Sequence, residues 1–307
     1  MKNKAIFFLL SKMILLTGVC YLLFSQLSRL KTNDWRNIEI KHPNLILLSC
    51  SLIFFNWGFE WLKWKNTIRI IVPSSTLKTN FLAFMAGIAT GLITPNMLGN
   101  FLGRIYYYKK EFRSSIVSMT LLANFSQFFA SIFFGLISLL FLKETPWGIN
   151  LSFINYLLLL FCSSMLAFYF FFEKLRWKFL LRKTNFIEIH SLLRVDGNYR
   201  LKILVLSIFR HGIFTLQFWL MFNAFEDAYN FDTFLWIWQI FLWTTLVPSL
   251  WFGKLIIRES IALLVLGSIG FGQVEILTSS ILIWLVNLAF PALISIFICK
   301  QIKTEVE

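Results

Sequence analysis

The chain has 307 residues, of which 58% are hydrophobic and only 14% are charged. A soluble domain carries about 25% charged residues, so this chain has too little polar surface to cover a core in water. Its 36 phenylalanines and 12 tryptophans are typical of lipid-facing helices with aromatic residues at the membrane interface. The composition excludes a soluble globular protein and predicts an all-α, polytopic integral membrane protein.

The net charge of +14 does not indicate nucleic-acid binding. Lysine and arginine cluster in the short loops between apolar runs, which is the pattern of the positive-inside rule. Attraction to anionic lipid headgroups is a second consequence of the same charges. We therefore expect membrane lipids, with an anionic headgroup, as partners, and no nucleic acid.

Cysteine and histidine are too few and too scattered to predict a metal site or a cofactor. No CxxC pair occurs, and none of the three histidines has another ligand type at metal-binding spacing. We interpret the cysteines as small hydrophobic residues within apolar runs: Cys20, Cys50, Cys162 and Cys299.

Six segments are long and apolar enough to cross a bilayer, which takes about 20 residues. They are 5–26, 44–62, 114–142, 151–172, 202–223 and 276–299. The first lacks a cleavage pattern and is interpreted as a retained span rather than a signal peptide. Two further apolar stretches do not fit one crossing: 81–95 is short and ends at Pro95, and 233–270 is interrupted at Pro248 and Gly253.

Loop charges predict how these stretches are arranged. With both termini in the cytoplasm and both irregular stretches folded as re-entrant hairpins, about twenty basic residues lie inside and about five outside. The stretch 81–95 has basic clusters on both flanks, so a full crossing would expose one cluster outside. Re-entrant backbone is tolerated at membrane depth only inside protein or against a wet cavity. The two hairpins are therefore the most informative segments, in a protein that we expect in the cytoplasmic membrane.

The two irregular stretches share a residue pattern of Thr, Pro and Gly, with an Arg five residues after the Gly. The members are Thr90, Pro95, Gly99 and Arg104 in one stretch, and Thr244, Pro248, Gly253 and Arg258 in the other. Each stretch lies between two spans, which predicts inverted units at 44–142 and 202–299, unless the likeness is chance. Around them lie an N-terminal span and outer loop (1–43), a connecting span with a basic loop (143–201) and a tail (300–307). Inverted repeats with broken helices indicate a transporter site near the midplane.

Three short motifs resemble the lysylphosphatidylglycerol synthase transmembrane (flippase) region family. They are Trp61 to Trp64, Pro95 with Gly99, and Val247-Pro248 followed by Gly253 and Arg258-Glu259-Ser260. The resemblance implies a stand-alone flippase-like protein acting on membrane lipid. The motifs also depart from the family: Asn100 stands where a Glu is usual, Arg104 is one residue late, and Lys254 and Ile256 occupy glycine positions. The synthase domain has no counterpart in these 307 residues, so we do not expect the chain to make the lysyl lipid.

Ionisable residues within apolar segments are costly and mark candidate sites. Arg258 and Glu259 precede a predicted apolar helix at 260–270. Arg258 either holds a lipid phosphate at that helix N-terminus or forms a structural ion pair with a neighbouring helix. Glu259 either orients Arg258 or binds a cationic headgroup or a proton.

Other polar residues have competing interpretations. Arg104 either serves a headgroup or anchors the hairpin near the cytoplasmic surface, and Lys254 either lines the hairpin or reaches the interface. Arg210 lies eight residues into its span, which predicts a buried partner such as Glu60. The tryptophans of 56–65 and of 236–251 are interpreted as interfacial anchors, and Asn124 and Gln127 as interhelical hydrogen-bond formers.

The function that these features favour is a lipid translocase that moves a phospholipid or lipid-linked headgroup between the hairpins. The candidate substrate-binding residues are Arg258, Glu259, Arg104, Lys254, Pro95, Gly99, Asn100, Pro248, Gly253 and Arg210. No catalytic residue is predicted, because no phosphate loop, triad or paired-Asp motif is visible.

Two alternatives to a translocase stay open. One is a membrane-embedded transferase acting on a polyprenyl-phosphate or phospholipid, with Glu259 as its base. The other is a non-catalytic partner of a lipid-modifying or glycosyltransferase enzyme. A homo-oligomer is also open.

Overall fold

The computed structural model describes residues 38–94, 99–142, 152–171, 195–247 and 253–306, with single positions at 21, 24 and 35. Every regular element in these ranges is helical, which confirms the all-α class. The helices are α1 Pro43–Ser51, α2 Ile53–Ile71, α3 Leu77–Ile93, α4 Gly99–Ile105, α5 Lys110–Leu142, α6 Ser152–Phe171, α7 Gly197–Asn223, α8 Phe231–Leu246, α9 Gly253–Ser268, α10 Gln273–Trp284 and α11 Phe290–Val306, with a π-helical turn at Leu285–Ala289 between the last two.

Four helical stretches are long and apolar enough to cross a membrane. They are Pro43–Ile71, Lys110–Leu142, Gly197–Asn223 and Gln273–Cys299. These correspond to four of the six predicted spans. A fifth, predicted at 151–172, is the 20-residue helix α6. The predicted span 5–26 lies outside the described residues, apart from positions 21 and 24.

The first irregular stretch folds as a hairpin of a long and a short helix. Helix α3 begins at an N-cap, where Thr76 Oγ1 accepts a hydrogen bond from Thr79 N at 3.2 Å. Helix α4 packs back along α3. At the open end, the Tyr108 hydroxyl donates to Asn80 Oδ1 at 2.7 Å. The segment thus returns to the side on which it began.

Close backbone contact holds the two arms of this hairpin together. A Cβ atom at Gly99 would lie 2.2 Å from Thr90 O, and one at Gly103 would lie 2.4 Å from Ala86 O. The Thr90 hydroxyl donates to Gly99 O at 2.6 Å. Glycines four residues apart allow this approach, as they do in other tightly packed membrane helices.

The second irregular stretch forms a hairpin of α8 and α9. Helix α8 also begins at an N-cap, where Asn230 Oδ1 accepts from Thr233 N at 2.8 Å. The end of the hairpin lies beside its beginning, since Gly272 N donates to Glu226 Oε1 at 3.3 Å. It therefore also returns to its starting side.

The two hairpins open on opposite sides because α7 runs antiparallel to the continuous stretch of α1 and α2. Near one end, Ser49 Oγ of α1 donates to Gln217 O at 2.8 Å. Near the other, Lys202 Nζ donates to Asn66 Oδ1 of α2 at 2.9 Å. The first hairpin opens at the end of α2, as the contact from Trp64 Nε1 to Asn80 O (2.8 Å) indicates. The second opens at the end of α7.

At that second end, a polar cluster joins two loops. His42 Nε2 lies 2.8 Å from Asp227 Oδ1, and Lys41 Nζ lies 3.4 Å from Asp227 Oδ2. The hydrogen bond with His42 and the nearby ammonium of Lys41 hold the pKa of Asp227 below its usual range.

Packing between the predicted units is reciprocal. The first arm of one hairpin, α3, packs on α11, and the first arm of the other, α8, packs on α5. Each hairpin thus contacts the last span of the opposite unit, an arrangement that two related inverted units would produce. The inverted repeat and its boundaries stay predictions. The depth of the two hairpins in a bilayer is also a prediction.

The expectation that the tryptophans of 56–65 are interfacial anchors is wrong for Trp64. Trp64 and its neighbour Lys63 are buried, because α2 packs these residues against the first hairpin rather than the membrane surface. In α8, Trp236 and Trp243 are half-buried and pack against a hydrophobic core. Their interpretation as interfacial anchors stays a prediction.

Candidate functional site

A cavity of about 660 Å³ lies between the two hairpins and the spanning helices. Three arginines line it from three separate elements: Arg104 from α4, Arg210 from α7 and Arg258 from α9. Arg104 and Arg258 are the equivalent residues of the two predicted motifs. The folding of the two stretches thus brings both arginines to one cavity, together with the deep arginine of α7.

One carboxylate, that of Glu60 in α2, faces three cations. Lys63 Nζ lies 3.3 Å from it, Arg104 Nη2 lies 3.3 Å away and Arg210 Nη1 lies 3.1 Å away. The predicted pairing of Arg210 with Glu60 is confirmed. This cluster carries two more positive than negative charges.

Arg104 is buried, not anchored at the surface. Its side chain packs beside Gly87, ten residues into α3 and hence about 15 Å along that helix from its start. Its guanidinium carbon also lies 4.6 Å from the ring centroid of Trp64. The interpretation of Arg104 as an interfacial anchor is therefore wrong, because its guanidinium is buried in the protein against Glu60 and Trp64.

Arg258 lies in the second turn of α9, since this helix begins at Gly253 and not at residue 260 as predicted. The helix N-terminus is therefore not the setting of its guanidinium. Arg258 instead donates to Glu259 Oε1 at 2.5 Å and to the main-chain oxygen of Ser280 at 2.8 Å. Its ion pair lies within α9 and not with a neighbouring helix, which Arg258 contacts only through Ser280. Arg258 also lines the cavity, and its binding of a lipid phosphate stays a prediction.

Five buried polar atoms on the cavity-lining residues have no hydrogen-bond partner in the described part of the chain. One is Glu60 Oε2, which has only its ion pairs, and the others are Asn100 Oδ1, Arg104 Nε, His211 Nε2 and Thr244 Oγ1. Buried polar atoms are nearly always satisfied by protein or by water. Their concentration around this cavity indicates a polar interior that takes up water or a polar ligand.

A row of amides crosses the cavity wall and was not predicted. Asn56 Nδ2 donates to Asn287 Oδ1 at 2.6 Å, and Arg210 Nε donates to Asn56 Oδ1 at 3.0 Å. Asn287 lies in the π-helical turn, a feature frequent at functional sites. The sequence feature that could have indicated Asn287 was a single Asn within an apolar span, four residues before Pro291.

The remaining candidates are placed only in part. Gly99 lies at the start of α4 and Gly253 at the start of α9. Pro95, Pro248 and the side chain of Lys254 lie outside the described residues. Glu259 is buried and does not line the cavity.

The family model of the lysylphosphatidylglycerol synthase TM region matches residues 8–295. Because the match covers nearly the whole chain, this protein belongs to that family of lipid-related membrane proteins. None of the curated proteins compared with the chain matches it.

Proposed function

We propose that the chain is a lipid translocase that moves a phospholipid or lipid-linked headgroup across the cytoplasmic membrane through the cavity between its hairpins. The observation that carries the proposal is the meeting of Arg104, Arg210 and Arg258 at one cavity. The family match supports a lipid-related role, and the reciprocal packing of the hairpins supports alternating access.

The charge of the cavity favours an anionic headgroup. Guanidinium groups bind phosphate through charge-assisted hydrogen bonds, and the Glu60 cluster has an excess of positive charge. Arg210 has the most exposed side chain of that cluster, at 30%. We expect its guanidinium to leave Glu60 for the phosphate while Arg104 stays buried.

The transferase alternative has less support. Its only candidate base, Glu259, is paired to Arg258 and does not border the cavity. A base must come within hydrogen-bond reach of the proton that it abstracts. Protein rearrangement would have to precede any such step.

Reconstitution in vesicles with a fluorescent phosphatidylglycerol and an outer-leaflet quencher tests the proposal. We expect movement faster than in empty vesicles, and a loss of about tenfold in Arg258→Ala and in Arg210→Ala. Arg69→Ala is the matched control, because Arg69 is an exposed arginine at the end of α2, away from the cavity. Movement no faster than in empty vesicles, with this lipid and with a fluorescent polyprenyl phosphate, would refute translocation.

A further inference from the structure

An open, apolar surface groove of about 470 Å³ lies between α5 and α6. Its described walls are Phe125, Phe128, Phe161, Ser164, Met165 and Phe168. We call it the tail groove. Side chains of this kind suit a hydrocarbon chain and offer nothing to a charged group.

The tail groove and the polar cavity share a wall. Phe125 and Phe128 line both of them. Leu121 and Asn124 also line the polar cavity, and with these phenylalanines they form one face of α5 at spacings of three and four residues. The polar cavity thus borders the groove along this face of α5.

Asn124 supports an opening at this place. It lies near the middle of the 33-residue helix α5, yet its side chain is exposed. An amide facing hydrocarbon at that depth would be costly, whereas one at the mouth of a polar cavity can meet water or a headgroup.

Helix α6 forms the opposite wall of the groove and belongs to neither predicted unit. It is fixed to α5 by Tyr169, whose hydroxyl accepts from Ser126 Oγ at 2.8 Å and whose ring stacks on Phe125 at 5.9 Å. This contact holds one side of the groove in place while leaving Phe161 and Phe168 half exposed.

We propose that the tail groove holds a hydrocarbon chain of the lipid whose headgroup occupies the polar cavity, an inference that rests on the proposed function. A tail gains no hydrophobic free energy on leaving the bilayer for the groove, since both are apolar. The groove acts through geometry instead. It lets the tail stay in hydrocarbon beside Phe125 and Phe128 while the headgroup lies among the arginines.

Photolabelling tests the occupant directly. The full chain is placed in phosphatidylcholine nanodiscs with either phosphatidylglycerol or polyprenyl phosphate carrying a diazirine in its chain. We expect labels on Phe161 and Phe168 that an excess of the same unlabelled anionic lipid removes. Phe54, which is exposed on α2, reports ordinary boundary lipid and should be labelled without saturation. Groove labelling that neither anionic lipid competes would show boundary lipid only and overturn the proposal.

Filling the groove gives a functional test with a matched control. Ser164 lines the groove and Ser163 does not, although both are exposed and both hydroxyls bond to carbonyls of their own helix. Overpacking by Ser164→Trp should slow lipid movement by about tenfold and leave binding of soluble glycerol phosphate unchanged. Ser163→Trp should move lipid as the natural chain does.

The outcomes separate the two proposals. Normal lipid movement in Ser164→Trp, with movement lost in Arg258→Ala, would place the tail elsewhere and keep translocation. Competed groove labelling in a chain that moves no lipid would keep the groove assignment and remove translocation.

Discussion

The guanidinium of Arg210 lies 3.1 Å from a carboxylate oxygen of Glu60, so an ion pair joins α7 to α2 at the cavity wall. These helices are the first spans of the two predicted units. Movement of one unit against the other would act on this contact, as rigid-body transitions act on interface ion pairs elsewhere. Arg210 is also the cluster member most open to the cavity, which makes the pair a point where ligand binding can affect packing.

Replacing Glu60 by Gln should destabilise the fold strongly. The change leaves Lys63, Arg104 and Arg210 close together without their shared counter-charge. Breaking a buried pair by removing one partner costs about 3–5 kcal/mol. Thermal unfolding of the purified chain in detergent would measure the loss.

The double variant Glu60→Gln with Arg210→Gln should recover part of this stability, because one uncompensated cation is removed. Glu111→Gln, at an exposed acid in the first turn of α5, is the control and should change little. An unfolding temperature of Glu60→Gln equal to that of this control would contradict the account of the cluster.

Part of this site could be predicted from the sequence, because a charge at depth demands a partner. That argument paired Arg210 with Glu60 correctly. It misplaced Arg104, because the sequence alone does not show that Gly99 and Gly103 let α4 pack closely on α3, where the Arg104 side chain is buried.

The amide contact between Asn56 and Asn287 could not be predicted. An isolated Asn in a span indicates a hydrogen bond but does not identify its partner, and the π-helical turn has no local sequence rule to announce it. The start of α9 at Gly253 was missed for a related reason. The charged residues Arg258 and Glu259 suggested a helix boundary, whereas within the helix they pair with each other and Arg258 also donates to Ser280 of α10.

Gly103→Ala should separate the arms of the first hairpin. Its Cβ would lie 2.4 Å from Ala86 O, which is backbone and cannot rotate away. We expect a loss of about 1–3 kcal/mol in stability together with loss of lipid movement.

Gly212→Ala in α7 is the matched control, because nothing lies within 4 Å of the added atom. There the same substitution should stabilise by up to about 1 kcal/mol through helix propensity. Equal effects of the two substitutions in thermal unfolding would refute close packing in the hairpin.

Asn287→Leu should weaken the link between the π-helical turn and α2. It removes the 2.6 Å hydrogen bond from Asn56, and hydrogen bonds between membrane helices contribute about 0.6–2 kcal/mol. A double-mutant cycle with Asn56→Leu measures the coupling. We expect a coupling energy within that range, while fully additive losses would show that the two amides do not stabilise each other.

Cysteine accessibility should show that the two hairpins open on opposite sides of the membrane. Lys109, after α4, and Ser268, at the end of α9, are both exposed. Single cysteines at these positions are introduced after replacing the four native cysteines by serine. In intact spheroplasts, an impermeant maleimide should label Ser268→Cys and spare Lys109→Cys.

Two further positions are controls. Lys202→Cys, at the start of α7, should be spared like Lys109→Cys, and Tyr229→Cys should be labelled like Ser268→Cys. Labelling of Lys109 and Ser268 from the same side would overturn the inverted arrangement, because each hairpin returns to its own starting side.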